Sequence, residues 1–313
     1  MVQKKLNKKK LTLAISALIG IIVIMVLIIS LIFNIIKKHS IEYKLEKVGY
    51  NTEEIEYIKT NFSKAEQDKI LNMEYSSILV SLYKEKYFRK DRLDEYLEYY
   101  KNNKSLSSSE IVAKINTYTN LEPYEKIFDA DTSKNELMLV NKYYKLNDDY
   151  KPDVELISSQ YSYSGKYASK TIIESIQNLI DAAKEDNLKL IVSAGYRSYK
   201  DQEDIYESYK LNNGIREADE NVSRPGHSDY QTGLAVDIEP YAKYIENVNE
   251  SEEYQWLINN MHRFGFIQRF PEGKESITGF KYSAWHLRYV GVEAATFIHD
   301  NNITLEEYYG YKF

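Results

Sequence analysis

The chain has 313 residues, enough for one medium domain and an accessory segment. Residues 1–38 carry seven lysines and no acid, which leaves 34 basic against 47 acidic residues beyond them, a net of about −13. That balance argues against nucleic acid as a partner, because phosphate binding needs a basic face, and the lack of cysteine excludes a disulfide framework.

Residues 11–36 are almost wholly apolar, with no acidic or basic side chain. At ~1.5 Å per residue such a helix exceeds the ~20 residues needed to cross a bilayer core. Lys4, Lys5, Lys8, Lys9 and Lys10 precede the run and Lys37 and Lys38 follow it. The positive excess before the span predicts a cytoplasmic N-terminus and an extracytoplasmic remainder. A cleaved signal peptide is the rival reading. It would have a shorter apolar core and a small-x-small site, which "SLIFNIIKKHS" does not offer.

The chain then divides into residues 39–130, read as a helical stalk or accessory region, and residues 131–313, read as a folded domain. "SKAE" (63–66) and "SSSE" (107–110) fit the capping-box pattern. "RLDEYLEYYKNN" places Leu93, Tyr96, Leu97 and Tyr100 on one helical stripe. Beyond residue 131, "ELMLVNKYY" reads as a strand. "SKTIIESIQNLIDAAKED" follows as an amphipathic helix with Ile172, Ile173, Ile176, Leu179, Ile180 and Ala183 on one face. "LKLIVSAGYRS" reads as a strand, "DQEDIYESYKL" as a helix, "GLAVDIEP" as a strand and "EYQWLINNMHRFGF" as a helix. "SAWHLRYV" is a further strand and "GVEAATFIHD" the last predicted helix. Strands and helices mix without regular alternation, which favours an α+β fold, a small antiparallel sheet flanked by helices.

Four stretches occur in order over the C-terminal part: "SAGYRSYKDQ", "RPGHSDYQTGLAVDI", "HRFGFIQRFPEGKESITGF" and "WHLRYVG". With "LMLVNKYYKLNDDYKP" upstream, residues 135–313 resemble the VanY-like D-alanyl-D-alanine carboxypeptidases, zinc peptidases acting on peptidoglycan stem peptides. That resemblance implies a first pattern S-x-H-x-x-G-x-A-x-D, whose His and Asp bind zinc. It also implies a second, E-x-W-H, whose His binds zinc and whose Glu is the general base. Here Ser228, Gly233, Ala235 and Asp237 match the first pattern, and Tyr230 stands at its His. Trp285 and His286 match the second, and Ser283 stands at its Glu. The resemblance also implies that Arg197 holds a peptide carboxylate, with Ser198, Gln202 and Ser228 near the pocket.

A catalytic zinc needs about three protein ligands and an open position, and only Asp237 and His286 remain. A phenol with a reference pKa of ~10 is a poor third ligand. Serine cannot replace a carboxylate base, a loss of about 10²–10⁴-fold in rate. His227, three positions before Tyr230, is weighed as a substitute ligand and set aside. His262 is read as packing and His299 as a surface residue of the last helix. Asp229, Glu239 and Glu272 are candidate replacement bases, none favoured by spacing.

These features predict an inactive carboxypeptidase fold without zinc that binds stem peptides or a partner protein at the cell wall. One alternative is an active zinc carboxypeptidase with a rearranged site. The other is a structural interaction protein acting through its helical region.

Overall fold

A computed structural model describes residues 8–313, with side chains from Ile15 onward. Lys4 and Lys5 lie outside the described residues, as do the side chains of Lys8, Lys9 and Lys10. The chain forms two compact units, Met1–Lys84 and Glu85–Phe313.

In the first unit, α1 (Lys8–His39) includes the candidate span Ile15–His39, whose most apolar 18-residue window has a mean hydropathy of 3.2 and is not buried. It is long and apolar enough to cross a membrane, and a signal sequence meets the same measure. Four short helices follow: α2 (Ile41–Val48), α3 (Thr52–Asn61), α4 (Lys64–Leu71) and α5 (Leu79–Lys84). Each is too short to be stable alone. They bury Leu45, Ile58, Ile70, Leu79 and Leu82. The capping box at the start of α4 forms as expected, with Ser63 N donating to Glu66 Oε2 at 2.7 Å.

The second unit begins with α6 (Leu93–Asn102) and α7 (Ser108–Thr117), the latter capped by Ser107 and Glu110. Although the sequence groups them with the accessory region, these two helices belong to this unit. Tyr96 donates to Asn116 Oδ1 at 2.6 Å. Asn116 in turn packs on Gly310 so closely that a Cβ there would lie 2.7 Å from its carbonyl oxygen. Two small ladders follow, β1 (Phe128–Asp129) with β2 (Tyr144–Lys145), and β3 (Val154–Leu156) with β4 (Tyr167–Ser169).

The main sheet comprises β5 (Leu190–Ala194), β6 (Ala235–Pro240), β7 (Phe266–Phe270) and β8 (Ser283–Tyr289). Its order is β5-β6-β8-β7, antiparallel throughout. The helices are α8 (Ile173–Glu185), α9 (Tyr199–Asn213), α10 (Ile215–Asn221), α11 (Glu252–Asn260), α12 (Glu275–Thr278), α13 (Val292–Asn301) and α14 (Leu305–Lys312). The architecture is therefore α+β. Alternation along the strands sends Val192, Val236, Ile238 and Leu287 into one core with Ile176, Leu179, Ile180 and Ala183 of α8. A second core joins Ile267 of β7 to Ala294, Ala295 and Ile298 of α13 and Leu305 of α14.

Three local readings change. "ELMLVNKYY" is not a strand over its length. It leaves a 3-10 turn (Thr132–Leu137) and joins a ladder only at Tyr144. Met138, Leu139 and Val140 are buried without ladder partners, and Asn141 Oδ1 accepts the Tyr143 and Tyr144 amides to turn the chain. The helix read through "EYQWLINNMHRFGF" stops at Asn260, and a 3-10 turn carries the chain to Gly265. At φ +83° that glycine lies so near Tyr289 that a Cβ would sit 2.5 Å from the ring. "FIQRF" then forms β7, and His299 lies in α13, one helix before the last.

Candidate active site

Asp237 on β6 and His286 on β8 are directly paired across the ladder, so their side chains leave the same face of the sheet. Tyr230 sits in the 3-10 turn Asp229–Thr232, just before β6. Gly233 ends that turn at φ +72°, packed against Pro152 and Ser169, and redirects the chain into the strand. The three side chains meet. Tyr230 donates its hydroxyl proton to Asp237 Oδ1 at 2.7 Å. His286 Nδ1 lies 2.8 Å from the same oxygen and 2.9 Å from the tyrosine hydroxyl. Only an Nδ1–H suits a carboxylate at that distance, which assigns the tautomer. Nε2 is buried without a partner among the described residues. Phe270 stacks on the imidazole, with ring centres 5.1 Å apart.

Burial, and then the Asp237 charge, hold the Tyr230 proton well above the ordinary phenol value, and Arg197 pulls the other way without prevailing. Burial would raise the Asp237 carboxyl, but the His286 bond and charge, the Tyr230 bond and Arg197 outweigh it and lower it. The group is thus a neutral phenol on a carboxylate.

This arrangement does not fit a three-ligand zinc. Ligand bonds of about 2.0–2.2 Å in a tetrahedral site hold donor atoms roughly 3.3 Å apart. Here the three donor atoms are 2.7–2.9 Å from one another. Tyr230 would have to give up a proton held well above the ordinary phenol value before its oxygen could ligate, which makes it a poor third ligand beside Asp237 and His286. Among the described residues no group of three or more His, Cys, Asp or Glu side chains is placed to hold a metal.

The cleft beside the triad has a volume of about 330 Å³. Arg197, Gln202, Ser228, Tyr230, Ser283 and His286 line it, so the structure brings together most of the residues read from sequence. Arg197 follows β5 and Gly195, where a Cβ would lie 2.3 Å from the Tyr167 carbonyl oxygen. Its guanidinium carbon stands 3.9 Å from the centre of the Tyr230 ring. Gln202 is buried. It accepts a long bond from Arg197 (3.5 Å) and donates to Ser223 O at 2.8 Å, tying α9 to the cleft wall. Ser198 does not line the cleft. Its hydroxyl donates to Asp201 Oδ2 at 2.6 Å and accepts the Asp201 amide, capping α9.

The weighed substitutes are placed elsewhere. His227 is buried and its Nδ1–H donates to Asn141 O at 2.7 Å; burial lowers its pKa to about 4. His262 stacks on His299 with ring centres 3.9 Å apart, away from the cleft lining. Asp229 lines the cleft, but its two oxygens are held by Arg269 and Arg288, each at 2.5 Å, and Arg269 continues to Glu306 at 2.7 Å. All four charges are buried. Glu272 accepts from Asn249 at 3.0 Å, and Glu239 faces a different groove. Sequence reading missed the cleft's Phe270, Phe280, Lys281, Tyr282 and Glu220. Phe270 was recoverable from the period-2 spacing of "FIQRF"; the others sit on irregular segments or a short helix that carry no such signal.

The comparisons bear on the fold and the family. Residues 165–292 match the family model described as VanY, D-alanyl-D-alanine carboxypeptidase. YodJ of Bacillus subtilis (strain 168), which carries a carboxypeptidase name, is 36% identical over 211 residues, 64% of this chain and 77% of that one. A D-alanyl-D-alanine carboxypeptidase of Enterococcus faecalis is 37% identical over 188 residues, covering 57% of this chain and 67% of its own length. Among solved structures, the LD-carboxypeptidase LdcB matches with TM-score 0.56 and 37% identity over 59% of this chain and 90% of that one. VanYB in complex with D-alanine-D-alanine matches with TM-score 0.50 and 37% identity over 57% and 99%. On the identity and extent of these matches, the chain belongs to the VanY D-alanyl-D-alanine carboxypeptidase family.

Proposed function

We propose that this chain is a membrane-anchored, extracytoplasmic pseudoenzyme that binds peptidoglycan stem peptides at the cell wall without cleaving them. The observation that carries the reading is the closed Tyr230–Asp237–His286 triad, whose donor atoms bond to one another where the family's metal would sit. Ser283 at the family's base position supports it, since a hydroxyl does not take a proton from water at neutral pH as a carboxylate does. Recognition is supported by the open cleft and by Arg197, whose planar fork suits a terminal carboxylate bidentately. The apolar run within α1 supports anchoring, and the lysines ahead of that run favour a cytoplasmic N-terminus.

The test is made on the purified full chain in detergent. The expected result is far less than one zinc per chain by elemental analysis, no D-alanine released from a pentapeptide, and pentapeptide binding lost in Arg197→Ala. Near-stoichiometric zinc with D-alanine release overturns the reading in favour of an active enzyme. Absence of peptide binding overturns it in favour of a partner protein or a scaffold.

A further inference from the structure

A second groove, of about 430 Å³, lies where β6 and β8 part, lined by Tyr163, Glu239, Lys243, Tyr244 and Trp285 among others. Tyr241 adjoins it, with its ring centre 6.2 Å from that of Tyr163 and the rings tilted by 30°. The tyrosines are open for large rings: Tyr163 is 38%, Tyr241 52% and Tyr244 91% exposed. Nothing in the triad or the peptide cleft uses them.

The rings stand on a fixed frame. Tyr163 N donates to Val192 O at 3.0 Å and Val192 N to Tyr161 O at 2.9 Å, pinning one loop along the edge of β5. Tyr241 N donates to Lys189 O at 2.8 Å, pinning the other. Ala242 then adopts φ +51°, a left-handed conformation unusual for a residue with a Cβ. That turn precedes Lys243, which pairs with Glu253 at 2.7 Å, and Tyr244, which is left in solvent. Trp285 is braced edge-on by Tyr254, with ring centres 5.8 Å apart.

We propose that this face is a saccharide platform that takes the amino-sugar backbone carrying the stem peptides. The proposal rests on the peptidoglycan reading above. Pyranose rings present flat C–H faces ringed by hydroxyls. Exposed tyrosine and tryptophan rings match the first by dispersion, and their O–H and N–H groups match the second. Glu239 and Lys243 add an acceptor and a donor at the rim. An added peptide strand fits less well, because both backbone groups of Val192 on the β5 edge are already bonded. A lipid surface fits less well, because the lining lacks the basic excess and the long aliphatic face that membranes select. Strand β8 links the two grooves, with Ser283 and His286 in the peptide cleft and Trp285 in this one.

The full chain in detergent is titrated with peptide-free glycan strands of alternating N-acetylglucosamine and N-acetylmuramic acid, and separately with a stem pentapeptide. The expected result is that wild type binds the strands and Tyr241→Ala/Tyr244→Ala weakens that binding about tenfold or more. Tyr241→Phe/Tyr244→Phe, which keeps the rings, retains most of it, and neither pair alters pentapeptide affinity. Wild type that ignores the strands, or an alanine pair that binds them normally, overturns the proposal. So does an alanine pair that loses capture of another protein while keeping the glycan. Strand binding that persists where pentapeptide binding is absent supports the platform and overturns only the stem-peptide reading.

Discussion

Arg197 stands over the ring of Tyr230, with its guanidinium carbon 3.9 Å from the ring centre, while the hydroxyl of the same tyrosine is bonded to Asp237. On the proposed function, one residue closes the metal position with its hydroxyl and supports with its face the arginine proposed to bind the peptide carboxylate. These two roles separate by mutation. Tyr230→Phe keeps the ring and loses a hydrogen bond to a charged group, so the expected effect is a stability loss of about 1.5–3 kcal/mol with pentapeptide affinity nearly unchanged. Tyr230→Ala also removes the ring, and affinity should fall roughly two- to thirtyfold, the range of a cation–π contact. Urea unfolding and calorimetric titration of the two variants decide it. Equal affinity in both would show that the ring does not support Arg197.

His227 sets a pH dependence of stability. Its folded pKa is pushed down to about 4 from an ordinary 6.5, chiefly by burial. Above pH 6.5 the ring is neutral in both folded and unfolded chains and contributes no slope. As pH falls below 6.5 the unfolded chain takes up a proton that the folded chain refuses, so stability declines until about pH 4. At 1.36 kcal/mol per pKa unit the decline is about 3 kcal/mol. Asp229 and Asp237 are shifted in the same direction, so they too lose stability as pH falls, but these lowered carboxyls contribute above the ordinary carboxylate pKa and lose that contribution only at lower pH. Unfolding midpoints between pH 7 and 4.5 should therefore flatten in His227→Asn, whose amide keeps a donor for Asn141 O. An unchanged slope would assign the acid sensitivity to another group.

Asp229 sits between Arg269 and Arg288 and is buried, with only 5% of it exposed. Asp229→Asn leaves two buried guanidinium groups with one fewer counter-charge. The expected destabilisation is about 3–5 kcal/mol, read from denaturant midpoints. The same network joins the turn carrying Tyr230 to β7, β8 and α14, so the variant should also weaken pentapeptide binding in the fraction that remains folded. A mild loss of stability would mean that water or the Glu306 carboxylate compensates.

The site was legible in the sequence where spacing fixes geometry. Asp237 and His286 lie on strands with clear alternation, and their pairing follows once the strands are recognised. Tyr230 and Ser283 stood out because two motifs matched on every side of them. The triad's closure was not legible, since no pattern states that a phenol will donate to the neighbouring carboxylate. Nor was the fate of Asp229, whose arginine partners lie 40 and 59 residues away in the chain. Ser198 misled because a hydroxyl beside a binding arginine and a hydroxyl capping a helix look alike until Asp201 is seen to complete the box. In the fold, "LMLV" shows the limit of periodicity: a run buried on every side has no alternation to separate strand from packed turn.

Restoring the family's residues gives the most direct test of why zinc does not fit. Tyr230→His removes the phenol that occupies Asp237 and supplies an imidazole lone pair. Ser283→Glu places a carboxylate on the cleft wall at the start of β8. With three ligands available, the double variant should bind zinc at close to one per chain and release D-alanine from a pentapeptide above the wild-type background. Tyr230→His alone should bind the metal but turn over about 10²–10⁴-fold more slowly than the double variant, because no general base is present. Ser283→Glu alone should bind no more zinc than wild type. If the double variant folds and takes up no zinc, the alignment of Tyr230 with the metal-binding histidine is wrong and the triad has some other origin.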